Sequence, residues 1–243
     1  MERRHLDECG STNTDALQHL REGGGPLLLS ATRQTAGRGR LGRAWQSQPA
    51  QEGAALTFSL ALPLPAELDL SGLSLAVGCT VAEVLDPSAE RIRLKWPNDL
   101  FLDGAKLGGI LIETVPLPGQ LRGVVIGIGL NLQPLPPEAD RQAFASGHAA
   151  LATLDPTATA ATTLDRLAPA LRALLADFQT LGFAPWQAAF ARRDLTAGER
   201  VRVGEQLGIA RGVTLRGELL LETPTGPVAI SAGELSLRLE KSP

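Results

Sequence analysis

Two hydrophobic periods divide the chain. Large apolar residues at Phe58, Leu60 and Leu62 alternate with Thr57, Ser59 and Ala61, the two-residue repeat of a strand with unlike faces. The repeat returns at 124–132: Val124, Ile126, Ile128, Leu130 and Leu132 fall on one face, and Val125, Gly127, Gly129 and Asn131 on the other. That second face is stripped to backbone, and repeated glycine inside a strand predicts close approach of a ligand or of another backbone. Residues 27–31 form a short apolar run that reads as a buried strand.

Helical spacing appears elsewhere. Ser11-Thr12-Asn13-Thr14-Asp15 precedes Ala16, Leu17 and Leu20, and Gly23-Gly24-Gly25 stops the pattern, which predicts a capped amphipathic helix. The same hydroxyl and amide groups can serve a small polar ligand at the helix N-terminus. Further helices are expected over 71–85, ended by Asp86-Pro87, over 137–151, and over 163–181, where Leu164, Leu167, Leu171, Leu174 and Leu175 make a core stripe. Pro185-Trp186 opens a last helix that ends at Arg192-Arg193-Asp194. Beyond Asp194, short strands at 200–203, 208–211, 218–222, 228–230 and 235–239 are split by Gly and Pro turns, implying a compact β-barrel.

Asp103-Gly104 is a two-residue type I′ hairpin signal. A hairpin there pairs Phe101 with Lys106 and Asp99 with Gly108, leaving Asp99 and Lys106 as diagonal neighbours roughly 7–8 Å apart. The pair reads either as an exposed cross-strand ion pair or as an acid and a base around a hole. Lys106 lies among Leu107, Ile110, Leu111 and Ile112, and Gly108 and Gly109 leave room for a bound molecule, which favours a site.

Composition narrows the class. With 243 residues, 44% hydrophobic and 20% charged, the chain can build one large core and a small satellite domain. It has no apolar signal region at its start and no apolar run long enough to span a membrane, so a cytoplasmic location is expected. Cys9 and Cys79 have neither zinc spacing nor a CxxC arrangement and read as inert thiols. His5, His19 and His148 are scattered, which gives no support to a histidine metal site or a Ser-His-Asp triad.

Against a net charge of −3, residues 37–43 hold Gly37, Arg38, Gly39, Arg40, Leu41, Gly42 and Arg43, closed by Trp45 and preceded by Gln34. Glycines let the backbone approach a guest, and guanidinium forks suit phosphate or carboxylate oxygens. Alone, such a loop fits a solvated linker, a nonspecific nucleic-acid contact or an anion site.

Taken in order, Ser-Thr-Asn, Gln-x-x-Gly-Arg-Gly-Arg-x-Gly-Arg-x-Trp, Lys-Trp-Pro-Asn-Asp, Lys-Leu-Gly-Gly-Ile-Leu and Gly-Ile-Gly-Leu-Asn resemble the biotin protein ligases across essentially the whole chain. The resemblance implies an α/β (α+β) catalytic domain over 1–194, like that of class II aminoacyl-tRNA synthetases. It also implies a small Src-homology-3-like β-barrel over 195–243. It assigns Ser11, Thr12, Asn13, Gln34, Gly37, Arg38, Gly39, Lys106, Gly108, Gly109, Gly127 and Gly129 to biotin, with Lys106 reaching the biotin carboxylate. Arg40, Arg43, Trp45, Asn98, Asp99 and Asn131 go to ATP and the adenylate, and Lys106, Asp99 and Arg40 carry the catalysis. Leu41 stands where the family frequently has a fourth loop arginine, and Glu234 and Arg238 lie in a stretch similar to the family's terminal motif.

The implied activity is ATP-dependent formation of biotinyl-5′-AMP with release of pyrophosphate, then transfer of biotin to a lysine of a biotin carboxyl carrier protein. Mg²⁺ is expected with ATP. No DNA or membrane partner is expected, since Ser11 lies too near the start for a DNA-binding domain to precede it, and a homodimer is compatible. The loop at 37–45 is expected to order over ligand. A lipoate ligase of the same fold and a non-catalytic anion-binding module are the alternatives.

Overall fold

The computed structural model describes residues 1–42, 45, 53–134, 147–231 and 237–239, with backbone alone at 41 and 237–239. Arg43, Glu234, the side chains of Leu41 and Arg238, and most of the helix expected over 137–151 lie outside the described residues. The chain divides into two compact units out of sequence order: 1–68 with 104–166, and 69–103 with 167–243.

The first unit contains β1 (Glu2–Cys9), α1 (Thr12–Arg21), β2 (Leu27–Gln34), β3 (Ala55–Pro65), β6 (Ala105–Leu117) and β7 (Leu121–Asn131). Its strands lie in the order β1-β2-β3-β7-β6. The β1–β2 pair is parallel and the others are antiparallel. Register aligns residues into rows. Leu29, Ser59, Gly127 and Leu111 make one row, flanked by Leu27-Ala61-Val125-Glu113 and by Ala31-Thr57-Gly129-Gly109. Ala16, Leu17 and Leu20 of α1 pack on this face against Leu27, Leu29, Ala61, Val115 and Val125. Each fully buried leucine contributes about 1.5–3 kcal/mol, so this contact fixes where the first turn of α1 stands on the sheet.

Two expectations change here. Ser11 occupies the N-cap position with extended backbone, but its side chain makes no capping hydrogen bond. The Thr12 amide donates instead to Gln34 Oε1 at 2.7 Å, so β2 satisfies a helix-end donor. Residues 147–150 are not helical either. Gly147 has φ 68°, His148 bridges Lys106, and the Ala149 amide donates to the Lys106 carbonyl at 2.9 Å. Backbone pairing with β6 competes successfully with helix there.

The second unit holds α2 (Leu73–Leu85), β4 (Ile92–Lys95), β5 (Asp99–Leu102) and α4 (Gln187–Arg193). Strands β4 and β5 pair antiparallel, with Lys95 opposite Asp99. Asp103 and Gly104, with φ 50° and 83°, have the left-handed conformations that a type I′ turn needs at both central positions. Helix α3 (Ala160–Leu181) carries the expected leucine stripe, buried throughout. It starts three residues earlier than its periodicity indicates, at a point where the Thr159 hydroxyl accepts the Thr162 amide at 3.1 Å.

The C-terminal strands β8 (Arg200–Val203), β9 (Gln206–Val213), β10 (Leu219–Thr223), β11 (Gly226–Ile230) and β12 (Leu237–Leu239) form an antiparallel sheet ordered β11-β10-β9-β8-β12. The mixed α/β body with a small C-terminal sheet is the expected fold class.

Candidate functional site

The first turn of α1, the loop after β2 and the glycine rows of β6 and β7 assemble one polar cluster in the first unit. Ser11, Thr12 and Asn13 are all buried. Gln34 Oε1 accepts from both the Thr12 amide at 2.7 Å and the Thr12 hydroxyl at 3.1 Å. The Ser59 hydroxyl lies 2.7 Å from Thr12 Oγ1 and 2.7 Å from Asn13 Oδ1. On its other side, Asn13 Nδ2 donates to the Leu111 carbonyl at 3.3 Å and to Glu113 Oε2 at 2.8 Å. Glu113 Oε2 also meets Arg38 Nη2 at 3.0 Å.

The glycine face of β7 has two occupants from the protein itself. A Cβ on Gly127 would stand 2.3 Å from Asn13 Oδ1, and one on Gly129 would stand 2.5 Å from the Trp45 indole. Either approach lies well inside van der Waals contact, so only glycine lets Asn13 and Trp45 lie on the sheet. The floor that the sequence reading left open for a ligand is thus first a seat for two side chains. Gly108 serves the sheet in another way: its Cβ would lie 2.4 Å from the Gly129 carbonyl.

The arginine loop folds back on itself. The Trp45 amide donates to the Gly37 carbonyl at 2.9 Å, and buried Gly37 has no space for a Cβ, which would stand 2.7 Å from the Trp45 carbonyl. Gly39 and Arg40 follow, with Arg40 in the short 3-10 turn Arg40–Gly42. The indole Nε1 of Trp45 is buried and has no hydrogen-bond partner among the described residues. A buried donor of this kind suits an acceptor brought by a ligand.

Lys106 stands near the start of β6, half-buried, close in sequence to Gly108 and Gly109. Its carbonyl accepts from Asn131 Nδ2 at 3.2 Å, which links the end of β7 to the start of β6. Asn98 and Asp99 belong to the second unit, at the turn between β4 and β5 and the first position of β5. Lys95, Asp99's partner in register, also lies 5.7 Å from the Phe101 ring centroid.

Sequence reasoning missed Ser59 and Glu113. Ser59 reads as the small member of an alternating strand, and its signal was its place opposite Gly127. Glu113 carries no motif, and the only hint was its two-residue spacing from Leu111 and Gly109 along one face. Among the described residues no group of three or more His, Cys, Asp or Glu is placed to hold a metal ion.

Residues 10–131 match the biotin/lipoate A/B protein ligase family, and residues 196–238 match the biotin protein ligase C-terminal domain. The chain is similar to the biotin–[acetyl-CoA-carboxylase] ligase of Paracoccus denitrificans, with 33% identity over 95% of this chain and 98% of that protein. It is 36% identical to the bifunctional ligase/repressor BirA of Salmonella typhimurium, over 96% of this chain and 72% of that one. The biotin protein ligase from Aquifex aeolicus in complex with biotin and ATP superposes with TM-score 0.79 at 30% identity, covering 98% of this chain and 99% of that chain.

Proposed function

The chain belongs to the biotin protein ligases of the biotin/lipoate A/B protein ligase family, and from that premise we propose that it joins biotin to protein in two steps through biotinyl-5′-AMP. Its activity is that of a biotin–[acetyl-CoA-carboxylase] ligase, and biotin and ATP are its substrates. The acceptor in this reading is a lysine of a biotin carboxyl carrier protein.

The observation that carries the proposal is the polar cluster at the head of α1, with the arginine loop tied to it through Arg38 and Glu113. Donors and acceptors alternate there in a buried setting, as a small uncharged polar ring system needs. The positive loop next to them suits the phosphates of ATP.

In the first step the biotin carboxylate attacks the α-phosphate of ATP, forming the C–O–P bond of the mixed anhydride as the bond to pyrophosphate breaks. A carboxylic acid with pKa of about 4 is already ionised at neutral pH, so no general base is needed. Positioning and charge neutralisation supply the catalysis, with Lys106 on the biotin carboxylate and Arg40 and Arg43 on phosphate. Asn131 and Trp45 complete the nucleotide side. Mg²⁺ bound with ATP would add charge neutralisation at the phosphates beside Arg40 and Arg43.

In the second step the carrier lysine attacks the anhydride carbonyl and AMP leaves. A free lysine, with pKa about 10.4, is neutral in only about one molecule in a thousand near pH 7. Asp99 is proposed to accept its proton. Asp99→Asn is expected to slow single-turnover transfer from preformed adenylate by about 10²-fold or more, and an unchanged rate would remove Asp99 from that role. The proposal as a whole is tested by pyrophosphate release on addition of biotin and ATP, with lipoate as the control. Release with lipoate alone would reassign the substrate.

A further inference from the structure

Glu113 is half-buried on β6, in the row next to Gly127, and two side chains of the site converge on its carboxylate. Oε2 accepts from Asn13 Nδ2 at 2.8 Å and pairs with Arg38 Nη2 at 3.0 Å. At the opposite end of the Asn13 amide, Ser59 Oγ lies 2.7 Å from Oδ1. The two ends of an asparagine amide are nearly alike in shape, so only their partners fix which way it points. A carboxylate can only accept, and with the Leu111 carbonyl, a longer acceptor at 3.3 Å on the same strand, it requires the nitrogen end to face β6 and the oxygen end β3.

The same oxygen also restrains Arg38. The guanidinium carries five donors, and the Glu113 contact uses one of them to tether the loop residue beside the amide. Charge-assisted hydrogen bonds are about twice as strong as neutral ones, so a carboxylate at this position holds Arg38 more firmly than an amide would. Gly127 completes the arrangement, because any larger residue would displace Asn13 from between Ser59 and Glu113.

We propose that Glu113 is a positioning residue for the biotin site: it holds the Asn13 amide in one orientation and fixes Arg38 beside it, without touching the reacting atoms. The inference rests on the biotin-ligase reading and deepens it.

The test is steady-state pyrophosphate release at saturating ATP with biotin varied, for wild type, Glu113→Gln and Glu113→Ala, together with the ¹⁵N side-chain amide signal of Asn13 in the full chain without biotin. The KM for biotin is expected to rise about tenfold in the glutamine variant and further in the alanine variant, with kcat within about twofold of wild type. The Asn13 amide signal is expected to move in Glu113→Ala. A role confined to stability would lower Tm in both variants and leave the biotin KM at its wild-type value, and that outcome overturns the proposal. An Asn13 signal unmoved in both variants also overturns it. Should wild type release no pyrophosphate with biotin, the ligase reading fails, and the Asn13 signal then decides whether Glu113 orients the amide. The near-isosteric glutamine variant keeps both readouts available if the alanine variant does not fold.

Discussion

At the scale of single residues, the informative positions are those where a missing side chain makes room for a named one. Gly127→Ala places a methyl 2.3 Å from Asn13 Oδ1, and Asn13 is held on two sides, so it has to give up a hydrogen bond to move. Overpacking of this kind costs about 1–3 kcal/mol, and here it falls on the ligand site. The expected outcome is a biotin Kd raised by about tenfold or more together with a modest fall in Tm, measured by titration calorimetry and thermal melting. Wild-type biotin affinity would show that Asn13 is not part of the site. The sequence made the glycine face of β7 legible, because alternation survives with any residue at the second position. It could not say that Asn13 and Trp45 fill that face, since both arrive from segments remote in sequence. The two thiols behave as their lack of motif suggests: burial, then Asp15 and Glu8, push Cys9 up to about 11, and burial, then Glu83, push Cys79 up to about 12, far from the range of a reactive thiolate.

Among elements, legibility followed apolar contrast. Strands β3 and β7 show it and were located to within a few residues. Strand β1 shows almost none, since only Leu6 and Cys9 are even half-buried, and it is a strand because its backbone pairs in parallel with β2. Strand β4 does alternate, with Ile92 and Leu94 buried, but its four residues are too few for the pattern to announce a strand. What anchors β4 is an ion pair hidden from any pattern. Buried Arg193, at the end of α4, reaches Asp86 Oδ2 at 3.3 Å, the Ile92 carbonyl at 3.2 Å and the Asp86 carbonyl at 2.5 Å. Asp86 Oδ2 further accepts the Arg91 and Ile92 amides, and Oδ1 accepts the Ser88 hydroxyl. Burial pushes this carboxyl up, but the Ile92 amide, the Ser88 hydroxyl, the Arg91 amide and the Arg193 charge outweigh it and hold it below the ordinary carboxylate value. A lowered carboxyl adds stability above its unfolded value, and that stability is lost as pH falls through the folded value. Arg193→Ala leaves the charge buried without its partner and is expected to cost about 3–5 kcal/mol at neutral pH. The gap between wild type and variant should narrow on acidification through the carboxylate range, as read by urea unfolding at several pH values. A gap independent of pH would mean that Arg193 acts through packing alone.

For the molecule as a whole, composition and compactness divide the chain differently. Composition changes at Asp194, where Gly- and Pro-punctuated short strands begin. The compact units instead group 69–103 with everything from 167 onward. Within that second unit Trp96 Nε1 donates to the Gly217 carbonyl at 3.0 Å, Gln187 Nε2 to the Val213 carbonyl at 2.7 Å, and Arg216 pairs with Asp69 at 2.8 Å. Trp96 is almost fully buried, and a buried indole N–H without its acceptor costs about 1–3 kcal/mol before the loss of packing is counted. No local pattern announces this coupling, because the Trp96–Gly217 and Asp69–Arg216 pairs each join residues more than a hundred positions apart. A chain ended after Asp194 would therefore lose the acceptors and covering surface of α2, β4 and β5 together with the C-terminal sheet. It is expected to melt at a markedly lower temperature than the full chain, or without a cooperative transition, by circular dichroism. The first unit contains the polar cluster at the head of α1, whereas Asn98 and Asp99 lie in the second. Biotin binding should accordingly survive truncation better than transfer to the carrier lysine does. A truncated chain with the full-length Tm and transfer rate would show that the C-terminal sheet is a separate appendage.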